Sequence, residues 1–380
     1  MSFSLWGGGI VGSIIPFLFV LTIVVFVHES GHFLVARWCG IRVLVFSLGF
    51  GPELIGFNDR HGTRWKIAAV PLGGYVKFLG DENAASASDQ SAHAAMSEAD
   101  KKESFAGQSV GSRAAVVAAG PIANFILAIV IFAGIFMLFG RQSTSARVDE
   151  VEAASPAAAA GFKAGDLVVA VDGQKIENFN DLQRIVSRSG GETLSIDVER
   201  AGSTVNIKAI PALREIKDTF GNFQRHAVLG IKRSTGPGDV KTERLNPIEA
   251  FIAGTGRTWM VVDQTLTYIG GIFTGRESAD QLGGPIRIAQ VSGQLATLGF
   301  MPILDLAGVL SVSIGLLNLF PIPLLDGGHL LFYVLEVLRG KPLSDRAQEV
   351  GFRIGLAIVA MLMIFATFND IKGVLHLWAS

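Results

Sequence analysis

Hydrophobic residues in this chain fall into long uncharged blocks separated by shorter, glycine-punctuated segments. Leu5 to Val27 runs for 23 residues without a formal charge. As a helix that is about 34 Å, enough to cross a bilayer core. Trp6 and Trp38 stand near its ends like interfacial anchors. A second block, Ala114 to Gly140, has 27 uncharged residues, and a third, Leu306 to Leu325, is also free of charge. A fourth, Ile354 to about Phe368, is short for a span. Ile288 to Leu304 is apolar but holds Gln290, Gln294 and Pro302, and it reads either as a surface helix or as a partial membrane segment. The pattern predicts a polytopic α-helical membrane protein with about four transmembrane helices.

Two stretches follow a different rhythm. Val43 to Leu79 reads as extended strands with glycine turns, GFGP at Gly49 to Pro52 and PLGGYVKF at Pro71 to Phe78. Non-helical backbone at membrane depth is tolerated only against protein or a water-filled cavity. This region is therefore expected to be a membrane-associated β-hairpin leaning over the site. Asn83 to Glu103, rich in Ala and Ser, is expected to be a mobile polar loop. Val148 to about Leu213 alternates β-rich runs, such as LVVAVDG and LSIDVER, with glycine turns and one amphipathic stretch, Phe179 to Ser187. That is the pattern of a small inserted α+β domain. The expected divisions are helix 1 with its motif (1–40), a β-rich loop and linker (41–113), helix 2 (114–140) and the inserted domain (147–213). A region with amphipathic segments (214–304), helix 3 (305–330), a polar loop (331–353) and helix 4 with the C-terminus (354–380) follow.

Composition agrees with a membrane chain: 380 residues, 49% apolar, 17% charged, and a mean hydropathy of +0.44. A net charge of −1 gives no argument for nucleic acid. The single cysteine, Cys39, excludes an intrachain disulfide framework and a cysteine-rich zinc site, and reads as a packing residue. The first apolar run lacks a basic leader and a small-residue cleavage site, so it is expected to stay as a helix. Lysine and arginine are absent before it, but Arg37, Arg42, Arg60, Arg64, Lys66, Lys77, Lys101, Lys102 and Arg113 follow it. Arg339, Lys341, Arg346 and Arg353 follow the third block. By the positive-inside rule both loops face the cytoplasm, and Arg141 to about Asp305 faces the other side.

The chemistry begins where the first block ends, at HESGH, His28 to His32. Imidazoles four residues apart lie about 40° apart around a helix, so both reach one metal. Ionisable groups inside a membrane are costly and mark function. The alternative is a pair of helix-end histidines that happen to flank a glutamate. Asp326, in NLFPIPLLDGGH, is the first charge after 20 uncharged residues, and Pro321 and Pro323 must break or kink the helix just before it. The charge topology puts that end of the third block on the same side as His32, so His28, His32 and Asp326 come to a similar depth. A simple helix-ending loop is the alternative there. His329 reads as a neighbouring loop residue and not a ligand; small Ser30 and Gly31 allow close approach or ordinary helix packing.

With HESGH, GFGP, PLGGYVKF and N-x-x-P-x-x-x-x-D-G at Asn318, Pro321, Asp326 and Gly327, the chain resembles the site-2 protease family of intramembrane zinc metalloproteases. Within it, the bacterial regulator-of-sigma-E protease group is most similar. SPAAAAGFKAGDLVVAVDGQKI, Ser155 to Ile176, resembles a PDZ domain. The resemblance implies zinc (Zn2+) held by His28, His32 and Asp326, Glu29 as catalytic acid and base, and Asn318 helping to hold the substrate backbone, with Pro321 in the same motif. Strand residues such as Val76 and Phe78 are expected to pair with an unwound substrate. The implied substrates are single-span membrane proteins already trimmed outside, anti-sigma-factor-like, or remnant signal peptides. The implied setting is a multi-pass protein of the bacterial inner membrane, with the site toward the cytoplasm and the PDZ-like domain in the periplasm. Familiar members of the group carry two PDZ domains, whereas Ile216 to Gln294 shows no second PDZ pattern.

Two other classes stay open at this level. An idle scaffold that binds peptide termini would need neither Glu29 nor three ligands. A metal or ion transporter would be expected to repeat its HESGH-bearing half, and no second copy is present.

Overall fold

The computed structural model describes residues 9–80, 96–217, 223–233, 240–275, 278–279 and 282–379. Helix α1 (Gly9–Trp38) leads into strands β1 (Val43–Asn58) and β2 (Arg64–Phe78), the short helix α2 (Glu98–Glu103) and the long α3 (Val110–Leu138). The inserted stretch runs β3 (Arg141–Thr144), β4 (Glu150–Val151), α4 (Pro156–Ala160), β5 (Leu167–Val171), β6 (Gln174–Lys175) and α5 (Phe179–Arg188). It continues with β7 (Leu194–Arg200), β8 (Ser203–Ala209), β9 (Ala212–Lys217), β10 (Phe223–Val228), β11 (Ile231–Lys232) and β12 (Val240–Glu243). The chain closes with α6 (Pro247–Phe273), α7 (Pro285–Thr297), α8 (Phe300–Asn318), α9 (Asp326–Arg339) and α10 (Asp345–Ala379). Two compact units result, Met1–Ile135 with Pro247–Asp370, and Phe136–Asn246 with Ile371–Ser380.

Among the described residues, four helical stretches are long and apolar enough to cross a membrane: Gly12–Trp38, Val110–Leu138, Phe300–Asn318 and Arg346–Gly373. With the sheet content, this is the make-up of a polytopic membrane protein. The helices meet at small residues, as membrane helices do when nothing but packing draws them together. A Cβ on Gly31 of α1 would stand 2.3 Å from the Ala119 carbonyl oxygen of α3, and one on Gly308 of α8 would stand 2.6 Å from the Phe132 ring. α7 lies along α1, where Gly293 leaves room for Ser13. Val20, Val24, Ala296, Ile303 and Ala307 are buried between α1, α7 and α8.

The hairpin folds back on itself. Residues 45–48 of β1 pair with 64–67 of β2 on one side and with 74–77 on the other, while 55–58 pair with 64–67 from the far side. Gly49, at φ +90°, makes the bend; a Cβ there would meet the Val70 carbonyl oxygen at 2.7 Å. At its root Phe46, Val76 and Phe78 join Phe33, Val116 and Tyr333 in a buried cluster. Beyond Gly49 the faces turn apolar and exposed, with Leu54, Ile55 and Phe57 all outward. The turn is set by Asp59, whose carboxylate accepts from the Thr63 and His61 amides, Trp65 Nε1 and Arg37. Burial works to raise its pKa, but these donors hold it at about 2.

Several boundaries differ from the sequence reading. The third span does not run Leu306 to Leu325: α8 starts at Phe300 and stops at Asn318, because Pro321 and Pro323 lack the N–H that a continuing helix needs. Asp326 therefore does not lie on the span but opens a separate helix, α9, which occupies part of the expected loop 331–353. Ile288 to Leu304 is not one element, since Leu298 and Gly299 break it between α7 and α8. The fourth helix, 35 residues, is far longer than Ile354 to Phe368, because the polar Asn369–Asp370 pair is satisfied instead of ending it. Asp370 accepts from the Gly284, Ile286 and Arg287 amides, and Asn369 donates to the Ala279 and Leu282 carbonyls. Asn83 to Glu103 lies largely outside the described residues, but its end is α2 and not loop. Trp6 is also outside them.

The second unit holds an antiparallel sheet in the order β6-β5-β7-β8. Its core is Val148, Val168, Val171, Ile196 and Val198 with Leu182 and Val186, the apolar face of α5. The core runs past Leu213: Leu229 is buried in it, and Ile231 pairs with Val151. Asp166, buried in this unit, takes two 2.7 Å hydrogen bonds from Arg200 and one from the Lys163 amide. Burial works to raise its pKa, but Arg200 and that amide hold it below the usual carboxylate value. A lowered folded-state pKa contributes stability present above the unfolded value and lost as pH falls through the folded one. Asp166→Asn is expected to lower this unit's stability by about 2 kcal/mol at pH 7. The gap from the parent should close as pH drops below about 4, measured by hydrogen exchange at the β5 and β7 amides.

Candidate metal centre

α1 carries its histidines at the end of an apolar run, where helical geometry puts His28 and His32 on one face one turn apart. Both are under a tenth exposed, as is Glu29 between them. Asp326 reaches them from the first turn of α9, where the helix dipole favours a carboxylate. Asp326 Oδ2 lies 3.2 Å from His28 Nε2 and 3.6 Å from His32 Nε2, and the two Nε2 atoms are 3.2 Å apart.

The loop ahead of Asp326 is built for this approach. Leu324 holds φ 104°, a conformation that L residues rarely adopt and that tends to mark functional sites. Gly327 and Gly328 are without room for a side chain: a Cβ would stand 2.3 Å from the Leu319 and Phe320 carbonyl oxygens and 2.4 Å from that of Ile322. This accounts physically for the glycine pair behind the aspartate.

Hydrogen bonding fixes what the three groups present to one another. His32 Nδ1–H donates to the Val116 carbonyl at 2.8 Å, which uses the one proton of the neutral ring and leaves Nε2 with a lone pair. His28 Nδ1 lies 3.3 Å from the Asn124 amide, fully buried on α3. The amide's own oxygen is buried without a donor. Turning the amide over, a choice that hydrogen bonding decides, lets Oδ1 accept from His28 Nδ1–H and leaves His28 Nε2 with a lone pair as well. Asp326 Oδ2 is likewise buried with no donor. With the amide so turned, three acceptor atoms, all within 4.8 Å of one another, face a common point with no proton among them. A cation satisfies all three, and two imidazoles with one carboxylate are a zinc-type donor set that leaves a fourth position open.

α3 supplies the wall. Gly120 faces the rings so closely that a Cβ there would stand 2.2 Å from His32 Nε2 and 2.9 Å from His28 Cε1. Ser311 of α8 donates to the Asn124 carbonyl at 2.8 Å, tying three helices together behind the site. Val116, Gly120 and Asn124 were not singled out from sequence. Asn124 had a signal, being the one hydrogen-bonding side chain in Ala114 to Gly140; a glycine and a backbone carbonyl had none.

The remaining expected residues are placed as follows. Glu29 points to the root of the hairpin, its Cγ 3.0 Å from where a Cβ on Gly74 would be. Asn318 closes α8, half-buried, and Pro321 is exposed in the loop beyond. Val76 and Phe78 do not offer open side chains: both are core residues, Phe78 stacked on Phe105. His329 packs against Phe352 and is not grouped with the three ligand-type residues.

A family model described as peptidase family M50 matches residues 16–362. A protein of Agrobacterium fabrum, provisionally named a zinc metalloprotease, is 52% identical over 368 residues, 97% of this chain and 98% of its own. A Rhizobium meliloti protein with a name of the same kind is 50% identical over 356 residues, 94% and 95% of the two chains. Metalloprotease MmpA of Caulobacter vibrioides is 40% identical over 381 residues, 94% and 95% of the two.

Gly120→Ala tests the wall. The added methyl cannot coexist with His32 Nε2 where it stands, so bound zinc is expected to weaken by at least about tenfold while the helices stay formed. Zinc content after dialysis against graded chelator, beside circular dichroism, measures both.

Proposed function

The chain belongs to peptidase family M50 and is a zinc metalloendopeptidase, and we propose that it cuts peptide bonds within the membrane. In this reading His28, His32 and Asp326 hold the zinc, and Glu29 is the general acid and base. One observation carries it: His28, His32 and Asp326 bring three ligand-type atoms within 4.8 Å of one another, the aspartate oxygen buried without a donor, at the end of an apolar helix long enough to span a bilayer.

Bound zinc supplies Lewis acidity and lowers the pKa of water into the neutral range. Glu29, next in sequence to His28 and beside the hairpin, takes a proton from the attacking water and passes it to the leaving amine. Val116 and Asn124 hold the imidazole tautomers, and Asp326 neutralises part of the metal's charge.

A transmembrane substrate has its carbonyls already hydrogen-bonded along its own helix and must unwind before attack. The hairpin segment 74–78 lies at the edge of the folded sheet and packs against α1 beside Glu29. An extended substrate adding to that edge replaces the hydrogen bonds it loses. Since Val76 and Phe78 serve the core, the pairing role falls to the backbone there, and Asn318 and the Pro321 loop are the second contact with the substrate chain.

The substrates we infer are single-span membrane proteins already shortened outside, anti-sigma-factor-like, in regulated intramembrane proteolysis, with remnant signal peptides as a second class. The sheet-bearing unit acts in this reading as a PDZ-like domain in the periplasm that limits access. The lysine and arginine distribution supports a site toward the cytoplasmic face of the bacterial inner membrane. The family resemblance and the bacterial relatives support the rest.

Glu29→Gln should keep its zinc and cut a short single-span substrate at least about 100-fold more slowly than the parent; zinc loss in this variant would instead make Glu29 part of the metal-holding set. Tyr75→Pro, at a half-buried position of the hairpin segment 74–78 outside the core cluster, should keep zinc and lose cleavage of the helical substrate. Unchanged cleavage would rule out strand pairing.

A further inference from the structure

Asp326 is the only one of the three grouped residues that does not come from α1, and its local contacts, the Gly327 and Gly328 seats, tie it to its own loop and not to the histidines. It follows two prolines and a positive-φ leucine, and the N-terminus of α9 has no side-chain cap. Its position depends on where α9 as a whole is held.

Three turns along, α9 grips α3. Glu336 Oε1 accepts from Arg113 Nη2 at 2.6 Å, and the Arg113 guanidinium lies 4.9 Å from the Tyr333 ring centroid. The pair is largely shielded, with side chains 16% and 14% exposed, and Tyr333 is buried against Val116 and Val117. On α3, Arg113, Val116, Gly120 and Asn124 follow at i, i+3, i+7 and i+11, one face of the helix. That stripe carries, in order, the cation held by α9, the carbonyl that takes the His32 proton, the gap for both rings, and the amide on His28. On α9, Asp326 and Tyr333 are seven residues apart, again one face.

We propose that Arg113, clamped by Glu336 and Tyr333, is a positioning residue for the metal centre. It sets the register of α9 against α3, and so the distance from Asp326 to the two imidazoles. The inference rests on the ligand assignment made above. Arginine suits the task because its planar fork holds one orientation while its face lies on the aromatic ring, which a lysine does not reproduce.

The test measures zinc affinity by chelator competition, and the visible absorption of the cobalt-substituted full-length protein, for the parent, Glu336→Gln, Glu336→Asp and His28→Ala. Glu336→Gln is expected to bind zinc about 10- to 100-fold more weakly, with a weakened and shifted cobalt spectrum, and Glu336→Asp to recover part of both. A residue that only supported folding would lower thermal stability and leave the folded protein's cobalt spectrum unchanged; that result overturns the proposal. Loss of zinc in His28→Ala with parental affinity in Glu336→Gln overturns the clamp alone. Zinc retained in His28→Ala overturns the ligand assignment beneath it. Should Glu336→Gln not fold, Arg113→Met/Glu336→Leu, which leaves no buried charge unpaired, takes its place. Parental zinc affinity in that double variant also overturns the clamp.

Discussion

Three lone pairs meeting in a nearly dry place, with no proton to share, are the constraint around which the first unit is built. His28 Nε2, His32 Nε2 and Asp326 Oδ2 lie 3.2 to 3.6 Å from one another, while the His32 ring proton goes to the Val116 carbonyl and, with the Asn124 amide turned over, the His28 ring proton goes to Asn124 Oδ1. Buried acceptors left in that state are costly unless something positive joins them. Zinc resolves the cost, and the cost in turn explains why the surroundings are so closely specified. Gly120 cannot be larger, Asn124 cannot be apolar, and Gly327 must allow the α9 terminus to press onto the carbonyls of Leu319 and Phe320.

The same constraint explains why the helices cross at glycine. Ligands on short side chains reach a common point only if the backbones that bear them approach closely. Gly31 brings α1 onto Ala119, Gly120 lets the imidazoles lie against α3, and Gly315 brings α8 to the Pro121 carbonyl and Asn124. In a membrane, close packing of this kind also supplies much of the attraction between helices. Catalytic geometry and helix association thus draw on the same small residues.

The centre was largely legible in the sequence because its signals are local or chemically loud. HESGH needs only helical periodicity, and Asp326 announces itself as a charge after 20 uncharged residues. The hairpin was legible as strands, but its doubling-back was not, since residues 45–48 pair on both edges and register between distant segments leaves no local trace. Helix ends were misjudged where a tertiary partner decides them. Asn369 and Asp370 look like a stop signal, and they are absorbed because the backbone of residues 279–287 satisfies both. Asp326 was placed at the end of the third span, with Pro321 and Pro323 expected to break or kink the helix just before it; the helix stops sooner, at Asn318, and Asp326 opens a new one.

That last difference changes how the centre works. Had Asp326 lain on the span that carries Asn318, all three ligands would be fixed by two long helices, and the site would be formed whenever the bundle was. Because it opens α9 instead, Asp326, the proposed third ligand, belongs to a 14-residue helix whose place is set by tertiary contacts. Those contacts are the Gly327 and Gly328 seats on the preceding loop, Phe352 against His329 and Phe332, and Arg113 on Glu336 and Tyr333. In the proposed reading, metal binding is coupled to the docking of α9, each stabilising the other as ligand and fold do when a site is not preformed. The imidazole half of the centre is held by the rigid crossing of α1 and α3, and the carboxylate half depends on tertiary contacts. Shifts in the loop from Leu319 to Leu325, which joins α8 to Asp326, bear directly on the metal.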